Sequence, residues 1–269
     1  HYVSPSIWAW RRNRIKKISE SVDLILNLFP FEGDIYNKFN IPNKYVGHPL
    51  ADKLPDEPNT ESARNELDIP LTKTVIALLP GSRLTEIKRI AIPLLKAALL
   101  TQSKHKNLFF ISALTNEKSA NVFKKLADKI TPQLKINIYI DKTHRVIESS
   151  DIIMLASGTA SLEAMLLKKP MIVTYKLSWP TYFIVKLLAK IPYASLPNIL
   201  AGREIVPECL QFKCRPEILA SELDKLLNSE KSIKKLTNHF TKLSIELRKK
   251  ANYQAANSIL KLIKNDKIS

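Results

Sequence analysis

Two cysteines stand in the 269 residues, Cys209 and Cys214. They are too few for a disulfide framework and lack zinc-ligand spacing, so they read as free thiols of a reducing compartment. The histidines His48, His105, His144 and His239 show no ligand spacing either, and a metal site has little support. No apolar run reaches the roughly 18 residues that a membrane-spanning helix needs. The first residues do not have the pattern of a secretory signal. Neither GxxxxGK[ST] nor GxGxxG occurs, which weakens ATPase and nicotinamide readings. No internal repeat or low-complexity tract appears.

What is present is a core-forming composition, 45% hydrophobic, and an excess of base, 42 Lys and Arg against 25 Asp and Glu, for a net charge of +17. Nucleic acid, anionic lipid and anionic nucleotides all fit such a charge. The basic residues are spread along the chain with no nucleic-acid recognition motif, so a compositional bias toward lysine accounts for them as well. Such a length holds one large domain or two ordinary ones. The chain begins with His1, and Tyr2-Val3-Ser4-Pro5 has the character of the end of a core strand. Further sequence is therefore expected upstream.

From the N-terminus, Trp8 and Trp10 precede a basic cluster, Arg11, Arg12, Arg14, Lys16 and Lys17, in a segment Ile7–Ser19 that reads as helical. Val22–Leu28 reads as a buried strand, Ile35–Phe39 as a short helix, and Tyr45–Leu50 as a strand ending in a glycine turn. The proline-rich stretch Ala51–Asn59 is the expected domain boundary. After it, apolar runs at Val75–Leu79, Leu108–Ala113, Ile136–Ile140, Ile152–Ala156 and Met171–Tyr175 alternate with helical patterns, including Ser62–Leu67, Glu117–Lys129 and Thr143–Ser149. Pro93 is expected to start a helix running to Leu100. Alternation at this spacing predicts an α/β fold with a doubly wound parallel sheet. Trp179–Lys190 mixes aromatics with lysines and suits either a membrane-surface element or a core helix with a wet edge. Ser195–Asn198 and Gly202–Glu204 read as a polar loop, and from Pro216 onward the chain is helical and basic.

Two turns carry the candidate chemistry. Pro80-Gly81-Ser82-Arg83 follows one strand and Ser157-Gly158-Thr159 follows another, both at strand carboxyl ends, where ligands of such sheets bind. Arg83 offers a fork of donors for phosphate oxygens. Ser157, Gly158 and Thr159 offer backbone and hydroxyl donors at a helix N-terminus. Glu163, about one helical turn further on, could accept bonds from a pair of sugar hydroxyls. The bland alternative for this second turn is an ordinary capped helix with a surface glutamate.

Five blocks stand together in order: Ser4–Trp10, Gly47–Asp52, Leu79–Arg83, Ala156–Glu163 and Ser195–Arg203. Together they resemble the lipid-A-disaccharide synthase family, inverting glycosyltransferases of the GT-B fold. The resemblance runs through nearly the whole chain. It implies transfer of a diacylated glucosamine from UDP-2,3-diacylglucosamine to 2,3-diacylglucosamine 1-phosphate, giving the lipid A disaccharide phosphate and UDP without a cofactor or metal. It further implies UDP contacts at Gly81, Ser82, Arg83, Ser157, Gly158, Thr159 and Glu163, and an asparagine important for activity at Asn198. Arg203 and Glu204 share that last motif. A peripheral protein on the cytoplasmic face of the bacterial inner membrane is implied, as is a homodimer; nucleic acid is not an expected partner.

The expected domains are 1–50, the remnant of an acceptor-binding domain; 51–230, a UDP-sugar-binding Rossmann-like domain; and 231–269, helices that pack back on the N-terminal part or on a partner subunit. Family members carry an early glycine-rich loop and a general-base aspartate ahead of the point matching His1. Weak activity of this chain alone is expected on that ground. A non-catalytic remnant that only binds UDP or membrane is the competing hypothesis. A related sugar-nucleotide enzyme, such as a cell-wall transferase or an epimerase, is a third.

Overall fold

The computed structural model describes residues 1–5, 7, 14–177 and 192–266. Trp8, Trp10, Arg11, Arg12 and the segment Trp179–Lys190 lie outside the described residues. Two compact units divide the chain, one built from 1–55 and 242–266, the other from 56–177 and 193–241.

The first unit contains α1 (Ile15–Ser19), β1 (Ile25–Asn27), α2 (Gly33–Asn37), β2 (Asn43–Tyr45) and α3 (Pro49–Lys53). β1 and β2 pair in parallel, with Leu26 opposite Lys44. The expected strand Tyr45–Leu50 is replaced by the end of β2 and the start of α3. His48 caps that helix by accepting the Leu50 N–H on Nδ1, and Pro49 occupies its first turn. Pro lacks the ladder N–H and has its φ preset for a helix, so the chain turns there. Gly47 has φ +88°, and a Cβ on it would stand 2.8 Å from the Leu247 carbonyl oxygen. The Asp52 carboxylate accepts the Lys250 and Ala251 N–H groups at the start of the last helix, Ala251–Asp266. A carboxylate at that end satisfies orphan donors and meets the positive end of the helix dipole.

The second unit carries the sheet. Its elements are α4 (Thr60–Glu66), β3 (Thr74–Leu79), α5 (Leu84–Lys104), β4 (Leu108–Leu114), α6 (Glu117–Ile130), β5 (Ile136–Ile140), α7 (Thr143–Ser149), β6 (Ile152–Ala156), α8 (Thr159–Leu166), β7 (Met171–Tyr175), α9 (Leu196–Ala201), β8 (Glu208–Leu210) and α10 (Pro216–Leu227). α11 (Glu230–Leu247) and α12, the Ala251–Asp266 helix, complete the chain. The strand order is β5-β4-β3-β6-β7-β8, and every pairing is parallel. Residues 152–156 are all buried, as are 75–79. Continuous apolar runs of this kind are what strands covered on both faces require. One face packs Ile76, Leu78 and Met154 with Ile87, Ile90 and Leu94 of α5, Phe123 of α6 and Leu219 of α10.

Two local expectations fail in this unit. α5 starts at Leu84 and runs through Pro93 to Lys104. Ile87, Ile90, Ala91, Leu94, Leu95, Ala97 and Ala98 are fully buried on its length, and that burial outweighs the lost hydrogen bond. The expected polar loop at Ser195–Glu204 holds α9, with Pro197 in its first turn and Gly202 as a left-handed C-cap at φ +64°.

Candidate nucleotide-diphosphate site

β3 and β6 are neighbours in the sheet, but the chain leaves them in opposite directions, toward β4 and β5 on one side and β7 and β8 on the other. This is the topological switch point, where the helices that follow diverge and leave a crevice at the strand carboxyl ends. Both candidate turns emerge there. A cavity of about 400 Å³ is lined by Gly81, Ser82, Arg83 and Glu86 from the first turn and by Ser157, Gly158, Thr159 and Ala160 from the second. Thr115, Thr143 and Tyr175 add to its wall.

The first turn is built around a glycine. Gly81 has φ +107°, and a Cβ there would stand 2.7 Å from Glu86 Oε2. Only glycine takes that conformation without strain. Glu86 accepts the Arg83 N–H at 3.4 Å and pairs with the Arg83 guanidinium at 3.1 Å, so a carboxylate at the third position of α5 reaches back to the residue that starts it. The Arg83 side chain is 79% exposed and lines the cavity. Sequence reasoning did not single out Glu86. The signal was a glutamate three residues after the N-cap.

The second turn is tied from behind. Ser157 N–H donates to the Thr174 carbonyl at 2.8 Å, and its hydroxyl donates to the Ala194 carbonyl at 2.7 Å. Both protons of Ser157 are therefore spent within the protein, and the donor expected of its hydroxyl is not available to a ligand. Gly158 is the N-cap of α8; the Ser161 N–H turns back to the Gly158 carbonyl at 3.1 Å, and the N–H groups of Thr159 and Ala160, ahead of it, have no partner within the helix. Among the described residues, and apart from its two chain neighbours, no heavy atom lies within 4 Å of a Cβ placed on Gly158, so the turn is open on that side.

Glu163 sits within α8 and is not among the residues lining the cavity. Its side chain is 15% exposed, with His144 Nδ1 3.6 Å from Oε2. Oε2 is buried without a hydrogen-bond partner. Burial pushes its carboxyl pKa up, and the nearby His144 works against that rise.

Asn198 is fully buried. Its amide donates to the Val206 carbonyl and to Glu208 Oε1, and its oxygen accepts the Ile205 and Val206 N–H groups. Every hydrogen-bonding capacity of the side chain is used, so it fastens the chain from α9 to β8 and does not reach into the cavity. Arg203 donates toward His239 at 3.2 Å. Among the described residues, no group of three or more His, Cys, Asp or Glu is placed to hold a metal ion.

The family model described as lipid-A-disaccharide synthetase matches residues 1–263. The chain belongs to that family. The lipid-A-disaccharide synthase of Wigglesworthia glossinidia brevipalpis is 45% identical over 263 residues, covering 98% of this chain and 68% of that protein. The enzyme of that name from Vibrio parahaemolyticus serotype O3:K6 is 43% identical over 98% of this chain and 69% of its own length. As a member, the chain is a glycosyltransferase of lipid A biosynthesis. Among solved structures, a Staphylococcus aureus MnaA–UDP complex aligns with a TM-score of 0.61 at 13% identity, over 93% of this chain and 62% of that one. A glycosyltransferase from Rickettsia africae aligns at 0.56 and 16% identity, over 93% and 66%. At such identities the likeness is one of fold, and it agrees with the α/β GT-B architecture expected from the sequence.

Proposed function

We propose that the cavity at the β3/β6 switch point binds the UDP part of a UDP-diacylglucosamine donor, and that the reaction transfers its sugar to diacylglucosamine 1-phosphate. The observation that carries this reading is the convergence of two strand-end turns on one cavity of about 400 Å³. Arg83, largely exposed, meets the pyrophosphate. The Gly158 and Thr159 amides at the start of α8 add backbone donors and a helix dipole. Charge develops on UDP as it leaves, and fixed donors aimed at it stabilise the transition state without reorganising. Glu163 Oε2 supports a ribose role, because it is buried with no hydrogen bond among the described residues and has only His144 Nδ1 beside it at 3.6 Å, which leaves an acceptor for a hydroxyl donor. Asn198 then acts by holding the loop behind the second turn.

These residues serve the donor half of the reaction. Glu86 is the only carboxylate among the described lining residues, and Arg83 holds it, so the base for the acceptor hydroxyl is not assigned to this cavity. Attachment to the cytoplasmic face of an anionic inner membrane, and self-association, belong to the same reading. No described helix is long and apolar enough to cross a membrane. On α12, Tyr253, Ile259, Leu260 and Ile263 are exposed, and Lys261 and Lys264 lie beside them. Titration calorimetry with UDP tests the site. Micromolar or millimolar binding that Arg83→Ala weakens supports it, and a chain that is folded but gives no heat with UDP sinks it.

A further inference from the structure

Sequence reasoning also passed over Glu208, at the start of the edge strand β8. Its Oε1 accepts the Ser195 N–H at 2.9 Å, the Ser195 hydroxyl at 2.7 Å and the Asn198 amide at 2.8 Å. Its Oε2 accepts the Ala194 N–H at 2.9 Å. Ala194 in turn accepts the Ser157 hydroxyl on its carbonyl at 2.7 Å. We infer that Glu208 is a positioning residue for glycosyl transfer, acting on the Ser157–Thr159 turn through Ala194. The inference rests on the reading that this turn receives the UDP pyrophosphate.

Three features carry it. The backbone of Glu208 is fixed, because β8 pairs in parallel with β7, Glu208 opposite Val173. Thr174, next along β7, accepts the Ser157 N–H. Ser157 is thus held on one side by the sheet directly and on the other through Ala194 and the Glu208 carboxylate. Second, a carboxylate near an anion-binding turn works against binding unless its charge is met elsewhere. Here four donors converge on the two oxygens, and Glu208 is not among the residues lining the cavity. Third, the residue type matters. A carboxylate is acceptor-only on both oxygens, whereas a glutamine must turn its NH2 toward at least one of these donors. With its oxygen kept toward Ser195 and Asn198, Glu208→Gln would set two donors face to face at Ala194.

The test is a double-mutant cycle read in UDP affinity by calorimetry on the full chain. Glu208→Gln and Ser157→Ala are each expected to weaken UDP binding by about tenfold. The double variant is expected to bind no more than about twofold more weakly than either single one, because both changes cut the same relay. A residue that only stabilises the fold gives independent losses that multiply. Multiplying losses, or a Glu208→Gln chain that binds UDP like the parent, overturn the inference. If Glu208→Gln is recovered unfolded, Glu208→Asp, which keeps the charge and withdraws it by one methylene, carries the same cycle with the same outcomes. Arg83→Ala separates the two levels: if it too leaves UDP affinity unchanged, the site itself is wrong; if it weakens binding while the cycle is additive, only the relay is wrong.

Discussion

The two ends of the parallel sheet both concentrate charge, and they treat it in opposite ways. At the amino ends of the strands, Arg64 donates to Asp151 at 2.7 Å and to the carbonyls of Ser149, Leu71 and Lys73. Asp151 also accepts the Val75 N–H, Glu148 accepts the Asn59 N–H, Lys168 reaches Glu57 and Lys169 reaches Thr60. The charged groups there are each hydrogen-bonded within the protein and fasten residues 56–73 to the sheet. At the carboxyl ends, Arg83 is held by a single carboxylate and is largely exposed, while Glu163 keeps a buried oxygen with no hydrogen bond among the described residues and only His144 nearby, at 3.6 Å. Saturated charge supports a fold, and unsaturated charge at a strand carboxyl end is available to a ligand. The contrast separates the expected effects of mutation: one end should report in stability, the other in binding.

The largest effect is expected at the saturated end. Arg64→Ala removes a side chain that is 8% exposed and strips partners from Asp151 and three carbonyls. A loss of about 3 kcal/mol in unfolding free energy is expected, with UDP affinity unchanged. Urea unfolding and UDP titration on the same preparation check it, and a binding defect in a stable variant would erase the distinction between the ends.

Lys169 comes next. Burial pulls its amine pKa down from 10.5 to about 8, opposed by Asp151. Between those values the unfolded chain binds more protons than the folded one, so stability rises with pH across that window. Below about 8 the amine is charged in both states and its contribution is flat. The rise is expected to reach at most about 3 kcal/mol. Other lysines titrate in the same range, so the measurement is the difference between wild type and Lys169→Met in urea midpoint at pH values spanning the window. Parallel profiles would show that the buried amine is not uncharged as its surroundings demand.

At the open end, Arg83→Ala is expected to weaken UDP binding by about fiftyfold, the worth of a charge-assisted bond to phosphate. The melting temperature should hardly move, because the guanidinium is exposed and its one described pair is with Glu86 at i,i+3. A large loss of stability with intact UDP affinity would place Arg83 with the structural charges instead.

The legibility of these features follows the same division. Strands β3, β4, β6 and β7 were readable because burial on both faces demands apolar runs, β5 showed as a short isoleucine-rich run although as an edge strand it is only half-buried, and the two turns were readable because glycine and small hydroxyl residues interrupt the runs. β8 was not, since a three-residue edge strand leaves too short a pattern. Pro93 misled, because propensity is local whereas the seven fully buried residues around it are a tertiary fact. Ser157 was found, but not the direction of its hydroxyl, which depends on Ala194, 37 residues away. Glu86 and Glu208 were missed for the same reason. An isolated glutamate in a sequence gives no sign of how many donors the fold will bring to it.

The smallest expected effect concerns Glu163. Glu163→Gln keeps one acceptor for a ribose hydroxyl and loses the second, so UDP affinity should fall only about fivefold. The pH profile is more telling than the magnitude. Burial raises the Glu163 pKa, so as pH falls its carboxylate is neutralised earlier than an ordinary one, and UDP affinity should decline from that raised value downward. His144 opposes the rise, so His144→Ala should move the decline to higher pH, and Glu163→Gln should abolish the part that the two share. UDP's own phosphate ionisation is common to all three proteins and cancels in the comparison. Profiles that coincide for wild type and Glu163→Gln would mean that the buried oxygen meets no ligand, and the open end would then rest on its two turns alone.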